Sequence, residues 1–383
     1  MQLLQSGFYN KPIWIIAMLA SLFLIMFFLG CEPGTPQDKA ESDDFPIHKE
    51  AVISFEPKEP KQIEDDCEQA LENTEAEQDG IWQEEELLKH KPNELGQVMI
   101  LMYHHIGETE SEWVRTPQNF KKDLVSLYEN GYRLVNLLDY LRKDMDIEAG
   151  KSPVVITFDD GGYGQLDFIE VDQGFALDPN CAVAILEDFL KDYPDFGRGA
   201  AFYIYYPNPF GQEQHIREKF EFLAEMGYEI GNHTYSHANL SLLSDEDALM
   251  EIALNAKKTN EILPGYKVRS LALPYGQYPQ NRDILAEGNY KGYHYKNHAV
   301  LLVGSNPAPS PFSIDFEPLA VPRIRASEVM VENSGIYDWL GYFKNYPERR
   351  YISDGDPGTV TAPKALEEKL DRESASDKKI YFY

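Results

Sequence analysis

The chain has 383 residues, 43% of them hydrophobic, enough to bury one core of about 250 residues with appendages or two smaller ones. Its formal net charge of −29 excludes nucleic acid and anionic surfaces as electrostatic partners and leaves neutral glycans and cations open. Three cysteines, Cys31, Cys67 and Cys181, are too few for a disulfide framework.

Ile13 to Leu29 is an uncharged apolar run behind Lys11, of a length that suits the core of a signal peptide or a short membrane span. It ends in Phe28-Leu29-Gly30-Cys31, which resembles the lipobox of bacterial lipoproteins, whose cysteine is lipidated and becomes the mature N-terminus. Residues 1–31 are therefore expected to be a lipoprotein signal peptide, with an uncleaved anchor as the alternative. Either way the body of the protein is expected on the extracytoplasmic side of a bacterial cell membrane, held by a lipid anchor at Cys31 on the first reading. From residue 32 to 96 the composition turns to Pro, Glu, Asp, Gln and Lys, too polar and too negative to repay ordering. This stretch is expected to be a disordered acidic tether.

The folded domain is expected over 97–350, followed by a charged C-terminal tail over 351–383. Val98–Ile106 is an apolar strand that ends in His104 and His105. Phe120, Leu124, Leu127 and Tyr128 have helical spacing between Thr116 and Tyr132, and Asn130-Gly131 stops that helix. Strand Arg133–Leu137, helix Leu138–Lys143, strand Val154–Phe158 and helix Asp178–Pro194 come next. Strand Ala200–Tyr206, helix Ile216–Met226, the segment Tyr228–His237 and helix Ser241–Leu263 follow, then strands Ser270–Leu273 and Ala299–Val303. This alternation predicts an α/β fold. Cys181, in the first turn of its helix and with no base nearby in sequence, reads as a buried structural thiol.

Chemistry gathers at three strand ends. Val154–Phe158 has the unbroken apolar character of a strand covered on both faces, and it runs into Asp159-Asp160-Gly161-Gly162. In parallel sheets and barrels the carboxyl ends of strands are where sites are built. Adjacent residues leaving a strand point to opposite sides, so one aspartate can hold a metal while the other faces substrate; an Asx-turn is the plainer alternative. His233 and His237 are four apart, which on one helical turn aims both rings at one ion. With one carboxylate of the aspartate pair they form an open two-histidine, one-carboxylate set. Pro274-Tyr275-Gly276 breaks a third strand and presents backbone N–H groups at a fixed angle, as an oxyanion site requires.

Thr157–Gly161 (TFDDG), Ala200–Ile204 (AAFYI), Glu229–His237 (EIGNHTYSH) and Leu273–Gly276 (LPYG) together resemble the polysaccharide deacetylases with a NodB-homology domain. The YHHIG segment and Val321–Arg325 resemble the subgroup acting on poly-N-acetylglucosamine. The resemblance implies an irregular (β/α) barrel of about seven strands that removes acetyl groups with a divalent ion, usually zinc, sometimes cobalt or nickel. It implies Asp159 as general base, Asp160, His233 and His237 as metal ligands, and the Tyr275 backbone N–H as an oxyanion donor. Two family positions differ. An arginine expected two residues before the proline of the third motif is Ala272 here, with Arg323 or Arg325 as substitutes. The late Leu-x-His motif, whose histidine is the general acid, has only His294 and His298 in its region, and His298 is taken as the catalytic candidate.

The function expected is therefore metal-dependent removal of N-acetyl groups from a polysaccharide with N-acetylhexosamine units. Tyr103, Tyr163, Tyr235 and Tyr275 are candidate stacking faces for sugar rings. The alternatives are a non-catalytic glycan-binding lipoprotein with a degraded site, or a related hydrolase acting on O-acetyl xylan or a small amide.

Overall fold

The computed structural model describes residues 89–383 apart from Gln173. The proposed signal peptide, Cys31, Cys67 and nearly all of the acidic tether lie outside the described residues. Among the described residues no helix is long and apolar enough to cross a membrane.

Eight parallel strands form the central sheet: β1 (Met99–Tyr103), β2 (Tyr132–Leu134), β3 (Ser152–Phe158), β4 (Ala201–Ile204), β5 (Glu229–Asn232), β6 (Ser270–Ala272), β7 (Ala299–Leu301) and β8 (Ile324–Arg325). Their order is β7-β6-β5-β4-β3-β1-β8, with β2 also paired to β3. β2 and β4 share one edge of β3: Tyr132 to Leu134 align with Ser152 to Val154, while Ala201 and Phe202 align with Thr157 and Phe158. Among the described residues five helices lie between these strands, α1 (Pro117–Glu129), α2 (Leu137–Arg142), α3 (Ala182–Asp192), α4 (Ile216–Glu225) and α5 (Asp245–Ile262), and α6 (Ile336–Asn345) follows β8. Sequence chemistry explains their ends. Thr116 caps α1 by accepting from the Asn119 N–H, with Pro117 in the first turn. Ser244 caps α5 ahead of Asp245, Glu246 and Asp247, which suit the positive end of the helix dipole.

The strands alternate between two cores. Met99, Leu101, Val154, Ile156, Phe158, Phe202 and Ile204 pack outward with Phe120, Leu124, Leu186 and Phe189 of the helices. Ile100, Val155, Ala201, Tyr203, Ala272, Ala299 and Leu301 form a second cluster on the other face. Because both faces of β3 are covered, all seven of its residues are buried, as the unbroken apolar run predicts.

The sheet closes through one short segment. Val321 bridges in parallel to Leu301, donating to the Val300 carbonyl at 2.8 Å and accepting from the Leu302 N–H at 2.9 Å. Three residues later Ile324 and Arg325 pair with Leu101 and Met102 of β1. Residues 321–325 thus join the two edges and make an irregular (β/α) barrel, the architecture that the family resemblance implied and one form of the α/β fold expected from the strand and helix alternation.

The C-terminal stretch corrects an expectation. Residues 351–383 are part of the fold: Thr359–Ala362 pairs in parallel with Lys379–Phe382, and Tyr351, Ile352, Val360, Leu370 and Ala375 are buried. The fold also begins before 97, since Asn93 bridges to Ile352 and the buried Glu94 accepts hydrogen bonds from the Tyr351 hydroxyl and the Thr361 N–H. Apart from the buried Asp354, the charge of the last segment lies mostly on exposed or half-exposed positions, and all four residues of Thr359–Ala362 are buried, Val360 and Ala362 within the second core cluster. Burying a Val, Leu or Ile side chain is worth roughly 1.5–3 kcal/mol, and each lost kcal/mol lowers the melting midpoint of a domain this large by roughly 2–4 °C. A chain ending at Arg350 should therefore melt at least about 10 °C lower by calorimetry; an unchanged midpoint would show the segment to be dispensable.

Candidate active site

β3 carries alternate residues to opposite faces, and Asp159 continues the side that holds Val155 and Thr157. It is fully buried. Burial alone would push its carboxyl up, but the Arg323 guanidinium outweighs this and holds Asp159 below the usual carboxylate range. The pair is bidentate: Nη1 donates to Oδ1 at 2.7 Å and Nη2 to Oδ2 at 2.6 Å. Two further donors of Arg323 are used as well, Nη1 on the Thr157 hydroxyl at 3.0 Å and Nε on the Leu302 carbonyl at 2.8 Å. Arg323 fills the role left open at Ala272. Arg325 does not: it pairs with Glu112 at 2.6 Å and lies over the Trp113 ring.

Asp160 turns away from Asp159, with a left-handed φ of 75°. Its Oδ1 lies 3.4 Å from His233 Nε2 and 3.3 Å from His237 Nε2, and the three ligand atoms all fall within 4.8 Å of one another. The His233 ring is fixed from behind, Nδ1 donating to the Ala272 carbonyl at 2.8 Å, so Nε2 is the lone pair that faces Asp160. Asp160 Oδ1 is buried and has no hydrogen-bond partner, which a cation between these three side chains would supply. Nitrogen and oxygen donors in this number suit a divalent transition metal with open positions. Burial raises the Asp160 carboxyl, while the electrostatic pull of His233 and His237 beside it holds it well below its ordinary value.

His233 and His237 converge, but not on a helical turn. Both lie in a loop, and Thr234 (φ 59°) and His237 (φ 57°) are left-handed. Such a conformation costs roughly 1–2 kcal/mol per non-glycine residue, and α5 helps offset it. Glu251 accepts from the Ser236 N–H at 2.8 Å and its hydroxyl at 2.9 Å, and Asn255 Nδ2 donates to the Thr234 and Ile204 carbonyls. Tyr275, also left-handed at φ 59°, leans its ring on His237 with centroids 4.9 Å apart. In that turn the Gly276 and Gln277 amides are bonded to Leu273 and Pro274 carbonyls, and the Tyr275 amide is not among them.

His298 is misplaced as a general acid. It lies just before β7, at the amino end of the barrel, with its N–H bonded to the Arg269 carbonyl and its side chain exposed. The residue missed is His104, at the carboxyl end of β1, where its position after an apolar strand already matched that of the aspartates. Burial pushes its ring down to about 4, against the opposing pull of Asp159 and Asp160, and Trp113 covers it at 4.6 Å. Among the tyrosines, Tyr163 and Tyr275 are 54% and 58% exposed beside the site, the former stacked on His105 at 4.3 Å. Tyr103 instead is buried and donates to Asp123, and Tyr235 packs on Tyr206. Cys181 is buried, its thiol pushed up to about 11 by burial, as a structural thiol should be.

Residues 146–295 match the family model described as polysaccharide deacetylase. They are a polysaccharide deacetylase domain. No curated protein matches the chain. Among solved structures, a polysaccharide deacetylase from Bacillus cereus is 18% identical with a TM-score of 0.45, covering 64% of this chain and 68% of its own. The Streptococcus pyogenes deacetylase PplD, solved with acetate, is 18% identical with a TM-score of 0.44, covering 64% of this chain and 97% of its own. IcaB from Ammonifex degensii is 17% identical with a TM-score of 0.42, over 64% and 97%.

Removing Arg323 would leave Asp159 buried and uncompensated, a change that typically costs about 3–5 kcal/mol. Arg323→Met should lose about that much in urea unfolding, and adding Asp159→Asn should recover part of it. A loss below about 1 kcal/mol would contradict the buried pair.

Proposed function

We propose that the protein is a metal-dependent deacetylase that removes N-acetyl groups from an extracellular or cell-wall polysaccharide containing N-acetylglucosamine, and that residues 1–31 deliver it to the outer face of a bacterial membrane, with Cys31 as its lipid anchor. The observation that carries the catalytic reading is the convergence of Asp160, His233 and His237 to within 4.8 Å next to an ionised, fully buried Asp159. The non-catalytic alternative rested on two gaps in the sequence. Arg323 closes the first and His104 closes the second, which supports turnover.

A divalent cation, zinc by the donor set, would supply a Lewis acid and lower the pKa of a water in the site. The protein's own groups divide the remaining work. Asp159, kept ionised by Arg323, takes the proton of the attacking water. The Tyr275 N–H faces the oxygen that becomes negative as the acetamide carbonyl turns tetrahedral. Nitrogen leaves only if it gains a proton, and His104 is the titratable group placed to hand it over. Burial keeps His104 neutral at rest, so the proton taken from water by Asp159 has to pass to His104 before His104 hands it to the departing nitrogen. The exposed faces of Tyr163 and Tyr275 fit sugar rings, and the acidity of the chain disfavours anionic polymers.

Acetate release from N-acetylglucosamine oligomers tests the assignment residue by residue. Asp160→Asn should lose metal and activity together. Asp159→Asn should keep the metal while turnover falls by about 10²-fold or more. His104→Ala should fall by a similar ~10²-fold, whereas His298→Ala should match the unaltered protein. Full activity after exhaustive chelation would overturn the metal-dependent reading, and labelling of a Cys31→Ser chain by a radioactive fatty acid would overturn the anchor.

A further inference from the structure

Gln165 is fully buried, directly behind the glycine turn that follows the aspartate pair. Its Nε2 donates to two main-chain carbonyls, that of His104 at 2.8 Å and that of Asp159 at 2.5 Å. These are the first residues beyond β1 and β3, whose ladder ends at the Tyr103 and Phe158 pair and the bond from Asp159 N–H to the Tyr103 carbonyl. Past that rung the two chains part, one toward His105 and the other toward Asp160. The Gln165 amide adds a further rung where backbone pairing has run out. Two glycines allow the approach: a Cβ on Gly164 would collide with the Ile106 carbonyl, and one on Gly162 with the His105 ring. The Tyr163 carbonyl then accepts from the Ile106 N–H at 3.3 Å.

We propose that Gln165 is a positioning residue that fixes His104 relative to Asp159 and thereby controls proton delivery to the departing nitrogen. This rests on the deacetylase reading above. The two partners do not depend on the clamp equally. Asp159 is also gripped through its carboxylate by Arg323, whereas His104 has the Trp113 ring on one side and its carbonyl bond to Gln165. Loss of the clamp therefore acts chiefly on the acid. An amine leaves only with a proton, while a nitrophenolate leaves without one, so the two leaving groups separate acid delivery from attack by water.

Gln165→Glu keeps the shape but offers two carbonyls a group that only accepts, and Gln165→Met removes the polar atoms without adding charge. In either variant kcat for acetate release from N-acetylglucosamine oligomers should fall by about 10²-fold, the scale of a ~1 Å misplacement, with KM within about threefold. Hydrolysis of 4-nitrophenyl acetate should stay within about threefold, and the metal content should be unchanged. Parallel losses on both substrates, or no loss on the oligomers, would overturn the proposal. Amide hydrogen exchange gives a readout that needs no turnover: His105, Ile106 and Gly107 should exchange about tenfold faster in the variants while Val155 and Ile156 do not change. Equal exchange at His105 to Gly107 would overturn the clamp even in a protein that releases no acetate, whereas faster exchange with no acetate release would uphold the clamp and sink the deacetylase reading.

Discussion

A buried carboxylate is tolerated only when its charge is matched and its lone pairs are occupied, and the interior ion pair of Asp159 with Arg323 meets both conditions. Its partners explain much of the architecture around it. Arg323 sits between Val321, bound to β7, and Ile324, bound to β1, so the segment that closes the barrel is the one that delivers the guanidinium. Thr157, two residues before Asp159 on the same side of β3, takes another of its donors. Barrel closure and the ionisation of Asp159 are in this sense one structural event. A barrel left open at β7 would leave the Asp159 charge without its match.

The second constraint is backbone conformation at the rim. Asp160, Thr234, His237 and Tyr275 all take left-handed φ values without being glycine, and all four lie in the turns that carry the candidate ligand set and the Tyr275 amide. The surrounding structure has to hold them there. Helix α5 does so for the histidine loop through Glu251 and Asn255, and Asn232 fixes the start of that loop by accepting from the Thr234 N–H and donating to the Ile252 carbonyl. Rigidity on this side of the barrel is purchased with buried polar contacts, in which Glu251, Asn232 and the Asn255 amide nitrogen all find partners.

How much of this could be read from residue order follows from the range of each interaction. Val154–Phe158 and the aspartates after it are local signals, and both the strand and its site sit where the apolar run ends. Histidines at 233 and 237 were legible as a pair, but the helical turn was not, because left-handed residues are set by packing against α5. Arg323 lies 164 residues from Asp159, so only the closure of the sheet brings them together. His298 illustrates the opposite error: a polar residue before a strand lies at the amino end of the barrel, and one after it, like His104, lies at the site. The C-terminal segment was misjudged because its charge density hid two short inward-facing strand patterns.

One rim of the barrel, built by β3, β5 and β6, brings Asp160, His233 and His237 together as the proposed cation site and leaves Asp159 outside that set. Anomalous diffraction from crystals soaked in zinc tests this most directly. A single strong peak about 2.0–2.2 Å from an Asp160 oxygen and from Nε2 of both histidines is the result predicted. Zinc bound through Asp159, or seated away from these three residues, would contradict it.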